Sequence, residues 1–185
     1  MGGEVRIAPF ETLTPAQREQ ASDVMWRGFA HQPAAWPTIA EARAEVATFY
    51  EDEERFALAL LEGENLRGWI GAIESYSHAW ELHPIVVDPD CQKRGFGRLL
   101  IEALEAEARA DGILTIHLGS DDDYGGTSLY GADLTTGALE KLAAIEPRGG
   151  GHPVFFYLKL GYQLTGVLPD ANGPGKPDIY LAKTL

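Results

Sequence analysis

The sequence predicts one α/β domain of the α+β kind, spanning residues 1–185, and three observations carry that expectation. The chain has 185 residues, the size of an ordinary domain and enough to bury a core without staples. Apolar residues make up 45% and charged residues 23%, a globular balance that excludes a disordered chain. The predicted order runs strand, two helices, three strands, helix, strand, so a strand–helix–strand crossover sits near the middle of a mixed pattern.

Val5 to Pro9 reads as a short opening strand. In Thr14-Pro15-Ala16-Gln17 the threonine caps, the proline takes the first helical position and the glutamine completes a capping box, which starts a helix to about Phe29. His31 to Pro37 is a loop broken by two prolines. Thr38-Ile39-Ala40-Glu41 repeats the capping box and opens a helix to about Tyr50, and the charge run Glu51 to Glu54 is a solvated loop. Phe56 to Leu61 and Trp69 to Glu74 are strands joined by the turn-rich Glu62 to Asn65, and Trp80 to Val87 is the next strand. Phe96 to Ala110 is a helix with Phe96, Leu99, Leu100, Ala103, Leu104 and Ala108 on one apolar stripe, stopped by Gly112. Ile113 to Leu118 is a strand. Gly119 to Gly151 is less regular, with a loop at Asp121 to Gly126, a helix at Thr136 to Ile145 and a hinge at Arg148 to Gly151. His152 to Leu160 is a short helix ended by Gly161. Gln163 to Leu168 and Asp178 to Lys183 close the chain. The proline-rich Pro169 to Pro177 between them is too long for a two-residue hairpin turn and restricted enough to carry function.

Fifteen Lys and Arg against 28 Asp and Glu give a net charge of −13. That field repels a phosphate backbone, which excludes nucleic acid as a partner. It either attracts a cationic ligand or only keeps the protein in solution. The single cysteine, Cys91, makes no internal disulfide, and neither it nor the five histidines show metal-ligand spacing, so no metal is expected. The first ten residues are too short and polar for a signal peptide, and no apolar run approaches the roughly 20 residues that span a bilayer. The expectation is a cytoplasmic protein without a membrane partner.

Chemistry concentrates in Gln92-Lys93-Arg94-Gly95-Phe96-Gly97, between a strand and a helix. Leu100 stands where a dinucleotide fingerprint needs its third glycine, and no Gly-Lys-Ser/Thr follows to make a P-loop. What remains is a glycine turn at a helix N-terminus, which either binds an anion through free N–H groups or is a plain cap with basic neighbours. In the preceding strand, alternation puts Glu81, His83, Ile85 and Val87 on one face, and Pro84 implies a bulge or an open edge.

This strand, turn and helix resemble the acetyl-CoA site of the GNAT acetyltransferases, and His152 to Tyr162 resembles that superfamily's later helix and strand. Trp80 to Val87, Leu118 to Asp122, Gly166 to Gly173 and Lys176 to Ile179 are similar, more narrowly, to the aminoglycoside 6'-N-acetyltransferases. The resemblance implies a central mixed, mostly antiparallel sheet, splayed near its middle and flanked by helices. It implies acetyl-CoA as cosubstrate, a cationic aminoglycoside as the acetylated partner, antibiotic resistance as the outcome, and a homodimer, with Asp133 to Ile145 as the contact segment. A GNAT enzyme acting on another amine, such as a polyamine or a protein N-terminus, is the alternative.

Residue by residue, the resemblance gives the CoA pyrophosphate to the turn Gln92, Lys93, Arg94, Gly95, Phe96, Gly97 and Arg98, and pantetheine to the backbone of Ile85, Val86 and Val87. The Ile85 N–H falls at the developing oxyanion. Glu81 either takes the amine proton, through water, or orients the cation; taken without the resemblance it is a surface strand glutamate. Tyr157 is the acid for the departing thiolate and a cofactor contact, or a core aromatic beside Phe155 and Phe156. Asp121, Asp122, Asp170 and Asp178 are implied to face the aminoglycoside; His83, on the Glu81 face, either lines the site for it or is ordinary packing, and Trp26, Trp36 and Tyr50 either wall the sugar or belong to the core. Cys91 is not an acyl carrier, because the family transfers acetyl directly.

Overall fold

The computed structural model describes residues 3–32 and 35–185; Pro33 and Ala34, inside the proline-broken loop, lie outside them. Two compact units result, one of residues up to 114 together with Leu185, the other of residues 115–184.

The first unit holds β1 (Val5–Pro9), α1 (Pro15–Gly28), α2 (Ile39–Glu51), β2 (Arg55–Glu62), β3 (Asn65–Tyr76), β4 (Ala79–Val87) and α3 (Phe96–Ala110). Its strands pair antiparallel in the order β1-β2-β3-β4. Both predicted capping boxes form, at Thr14 with Gln17 and at Thr38 with Glu41. β3 is longer than its apolar run: Gly63 takes φ +61°, which lets a two-residue turn return Asn65 directly opposite Glu62. In the core, Phe10, Phe49 and Trp69 pack edge-on or tilted with centroids 5.1–6.4 Å apart, and the buried Trp69 indole donates to the Ala21 carbonyl at 3.1 Å.

On α3 the buried apolar residues are Phe96, Leu100, Ile101, Leu104 and Ala108, with Glu105 buried beside them, whereas Leu99 is 42% exposed. Leu99 lies on the flank of the helix turned away from Ile101, so the apolar stripe is rotated from its expected position. The helix ends in a Schellman motif: Gly112 takes φ +74°, its N–H donates to Arg109 and the Ile113 N–H to Ala108. Ile113 is spent on this cap, and the following strand starts later than expected.

Pro84 interrupts the β3–β4 ladder as its chemistry requires. Ile70 pairs with Ile85 and Ala72 with Leu82, so His83 and Pro84 together oppose Gly71 in a bulge. A Cβ at Gly71 would lie 2.4 Å from the His83 carbonyl and 2.5 Å from the Phe49 ring. Gly71→Ala is expected to cost about 1–3 kcal/mol, read as a fall of ~2–4 °C in melting temperature per kcal/mol.

The second unit holds β5 (Thr115–Asp121), α4 (Ala138–Ala143), α5 (Val154–Lys159), β6 (Gln163–Leu168) and β7 (Asp178–Thr184). Its strands are antiparallel in the order β5-β7-β6, with Ile179 and Leu181 of the central strand fully buried. Both helices are shorter than their sequence pattern. Gly137, in the left-handed region, caps the start of α4; Pro153 caps the start of α5, which ends at Lys159 ahead of the turn at Gly161, φ +91°. The Pro169–Pro177 loop is ordered by its own bonds, among them Asn172 N–H to Lys176 O and Lys176 N–H to Gly173 O. Among the described residues no helix is long and apolar enough to cross a membrane.

Candidate functional site

The bulged strand keeps its alternation. Trp80, Leu82, Pro84 and Val86 are buried, while Glu81, His83, Ile85 and Val87 are half-buried on the other face. Val86 packs its side chain in the core so close to Gly28 that a Cβ there would fall 2.3 Å from it, which leaves Val86 only its backbone to offer a ligand. His83 lies 3.4 Å from Glu45 on α2, and its ring is 5.8 Å from that of Trp36.

Downstream of β4 the turn is held by charge. Arg27 of α1 bonds Asp88 at 2.9 Å and Asp90 at 2.7 Å, Arg67 reaches Asp88 and Glu62, and Arg94 grips Glu62 at 2.6 Å. Arg94 also lies 4.5 Å over the Phe96 ring, whose side chain is buried. The guanidinium of Arg94 is therefore committed to Glu62, with its pKa raised first by that hydrogen bond. Gln92, Lys93 and Gly95 are exposed, Lys93 and Gly95 take φ +62° and +86°, and α3 begins without a side-chain cap. Two turn residues of positive φ, Lys93 and Gly95 on either side of Arg94, lead into a helix whose first N–H groups carry no side-chain cap, which suits an anion. Arg98 is exposed on the first turn, 3.7 Å from Glu102.

Trp26 and Trp36, uncommitted between core and ligand from sequence, line one cavity of about 510 Å³ with Phe29, Pro37 and Pro89. Tyr50 instead packs parallel to Phe10 at 5.5 Å, on the core side, beneath Arg18.

In the second unit Asp121 and Asp178 stand directly opposite each other across the β5–β7 ladder. Like charges at such a pair repel. Burial first, and then the Asp121 charge, push the Asp178 carboxyl above the usual range, and its Oδ1 is buried without a hydrogen-bond partner. Gly119 makes the room, since a Cβ there would lie 2.7 Å from the Asp178 carboxylate. Asn172 donates to Asp121, and Asp170 spends Oδ1 on the Gly175 N–H at 2.6 Å.

Asp122 corrects an expectation. It is fully buried, and its two oxygens accept from the N–H groups of Gly125, Gly126 and Thr127 and from the Thr127 hydroxyl at 2.7–3.0 Å. With its lone pairs taken by its own loop, it is structural and cannot meet a substrate ammonium. Tyr157 is 6% exposed, with its ring against Phe156 and Tyr162. Burial pushes its phenol well above the ordinary tyrosine value, so the hydroxyl keeps its proton.

Residues 19–131, more than half of the chain, match the acetyltransferase (GNAT) family. The chain belongs to this family. Among solved structures it is 39% identical to an aminoglycoside 6'-N-acetyltransferase complexed with coenzyme A, with 97% of this chain and 96% of the other covered at a TM-score of 0.87. The aminoglycoside 6'-N-acetyltransferase from Enterococcus faecium is likewise 39% identical over 97% and 96% of the two chains, with a TM-score of 0.85. A curated relative, the [ribosomal protein bS18]-alanine N-acetyltransferase of Salmonella typhimurium, is 32% identical over 90 residues, which are 46% of this chain and 61% of that protein's length.

A GNAT acetyltransferase takes acetyl-CoA as its donor, and the residues present fit it. Apart from its chain neighbours, no described residue comes within 4 Å of where a Cβ on Gly95 would sit, so a pyrophosphate would meet bare backbone there beside the exposed Lys93 and Arg98. The bulge at His83–Pro84 interrupts the ladder just before Ile85 and Val87, where pantetheine is expected. Sequence reasoning missed Glu45 and the Glu62–Arg67–Asp88–Arg27 chain. Both link residues far apart in sequence, and neither leaves a local signal. It also left Trp26 and Trp36 undecided, since helix and loop tryptophans read alike until the cavity is seen.

Proposed function

We propose that this enzyme transfers the acetyl group of acetyl-CoA to the 6'-amine of aminoglycosides and thereby confers resistance to them. The observation that carries the reading is the Asp121–Asp178 pair. Two opposed carboxylates, one with a buried unpartnered oxygen, are relieved by an ammonium group, and an aminoglycoside carries several. The 6' position follows the two 39%-identical neighbours. Steering by the −13 charge raises the on-rate and fades with salt.

In the reaction the ammonium gives up one proton, its nitrogen forms a C–N bond to the thioester carbon, the C–S bond breaks, and a second nitrogen proton ends on the released CoA sulfur. Glu81 receives the proton, directly or through water, or holds the ammonium for attack. The Ile85 N–H steadies the oxyanion, a role worth about 3 kcal/mol for one such donor. Tyr157 gives a hydrogen bond to the departing sulfur. A CoA thiol has a pKa of about 8.5, well below that of the buried phenol, so this help is modest. Tyr157→Phe is accordingly expected to lower kcat about tenfold with both KM values unchanged. An unaltered kcat removes the role. We place the enzyme in the cytoplasm with neither nucleic acid nor membrane as partner. Its expected assembly is a homodimer through α4, where Leu139 is 68% exposed; light scattering on the purified protein reads the mass.

The likeness to the bS18-alanine acetyltransferase favours a second reading, a protein N-terminus as acceptor. Release of CoA thiol separates the two. Turnover with a 6'-amino aminoglycoside and none with its 6'-hydroxyl counterpart supports the first reading. Equal turnover with both refutes the 6' position, and turnover only with an alanine-initiated peptide supports the second.

A further inference from the structure

We propose that Glu45 is a positioning residue for the amine side of the site: its single carboxylate, carried on α2, holds the Trp36 indole and the His83 imidazole together. The proposal rests on the acetyltransferase reading given above. Glu45 Oε2 accepts from the Trp36 indole N–H at 3.4 Å. Oε1 lies 3.4 Å from His83 Nε2 and 3.1 Å from Arg55 Nη1. The side chain is only 18% exposed, and three partners from a loop, β2 and β4 converge on it. His83 above all, then Trp36 and Arg55, hold its carboxyl below the usual range against the cost of burial. Arg55 also pairs with Asp52 and Thr48. Because Arg55 balances its charge, Glu45 acts through its neighbours rather than as a cation site.

Each contact fixes something the site needs. A carboxylate facing Nε2 requires the proton on that nitrogen, so a neutral His83 has its lone pair at Nδ1 and presents an acceptor there. Trp36 occupies the left-handed region at φ +48°, which a bulky side chain adopts only when its surroundings impose it. The surroundings are the Phe29 ring, 4.8 Å away and edge-on, and the Glu45 carboxylate. Trp36 lines the 510 Å³ cavity, and His83 is two residues from Glu81 on the half-buried face of β4. Glu45 therefore ties the cavity wall to the strand that carries the reacting groups.

The test uses Glu45→Met in the full chain, with ¹⁵N-labelled histidine and the His83 signals identified by their loss in His83→Gln. The expected wild-type spectrum shows one His83 tautomer, protonated on Nε2, and the variant shows a mixture. The KM for a 6'-amino aminoglycoside is expected to rise about tenfold, with kcat and the acetyl-CoA KM within about twofold. An unchanged tautomer in the variant overturns the proposal, as does a tautomer mixture with an unchanged amine KM. A lower kcat at unchanged KM is loss of folded enzyme and overturns it too. Where Glu45→Met folds poorly, the isosteric Glu45→Gln reads the same quantities, with a smaller rise in amine KM expected. Failure of the wild type to acetylate any aminoglycoside defeats the functional reading alone, and the spectra still decide whether Glu45 orients His83.

Discussion

Asp122→Ala is expected to destabilise the protein by about 4 kcal/mol, since it leaves several buried donors without an acceptor at about 1–3 kcal/mol each. The change strips four donors of their acceptor at once. Three are backbone N–H groups, at Gly125, Gly126 and Thr127, and the fourth is the Thr127 hydroxyl. Gly126 and Thr127 are buried, so water cannot replace the carboxylate there, and each buried donor left unpaired costs about 1–3 kcal/mol. The loop is also a junction. Asp122 N–H bonds the Pro177 carbonyl, Gly126 O accepts from Arg148 and Ser128 N–H donates to Glu146. A thermal melt is expected to show a midpoint about 10 °C lower. Asp122→Asn keeps one acceptor oxygen but turns an NH₂ toward N–H donors, and an intermediate loss is expected. A midpoint unchanged by either substitution removes the structural role assigned to Asp122 and returns it to the list of substrate carboxylates.

Glu81→Gln is expected to lower kcat/KM by about two to three orders of magnitude, the range of a positioned base. The substitution preserves the side chain's size and its place on β4 opposite Ile73, so the fold is expected to persist and the melt to stay near wild type. The way the loss divides identifies the role. A base is used only as the proton leaves, so its removal lowers kcat at unchanged KM. An anchor for the ammonium binds ground state and transition state alike, so its removal raises the amine KM at unchanged kcat. Turnover and KM both equal to wild type would leave Glu81 the surface glutamate that its strand position alone permits.

These two carboxylates show where sequence reasoning reaches and where it stops. Glu81 was legible because a strand has a period of two: alternation with His83, Ile85 and Val87 put it on one face, and the face survives the bulge. Pro84 announced that bulge because it lacks an N–H. Asp122 is implied to be a ligand only by the resemblance, whose acidic position it matches, and no local pattern distinguishes a carboxylate that faces solvent from one wrapped by its own loop. Leu99 failed for a related reason. Its spacing fits a helical stripe, but which flank of the stripe is buried depends on what packs against it, and in the structure that flank is at Ile101.

The sequence by itself determined the local chemistry of this protein. It set the two capping boxes, the glycine turn ahead of α3, the broken pairing at Pro84 and the acidic charge, because each depends on residues within a few positions of one another. The tertiary structure alone decided which of these groups act. It spent Arg94 on Glu62, buried Asp122 in its loop, set Asp121 against Asp178, and brought Glu45 from α2 to His83 and Trp36. The Arg94–Glu62, Asp121–Asp178 and Glu45–His83 outcomes depend on contacts between residues tens of positions apart. The Asp122 and Trp36 contacts, though nearer along the chain, depend on how a loop folds back. In each case charge, burial and repulsion follow from distance in space rather than from the spacing of the chain.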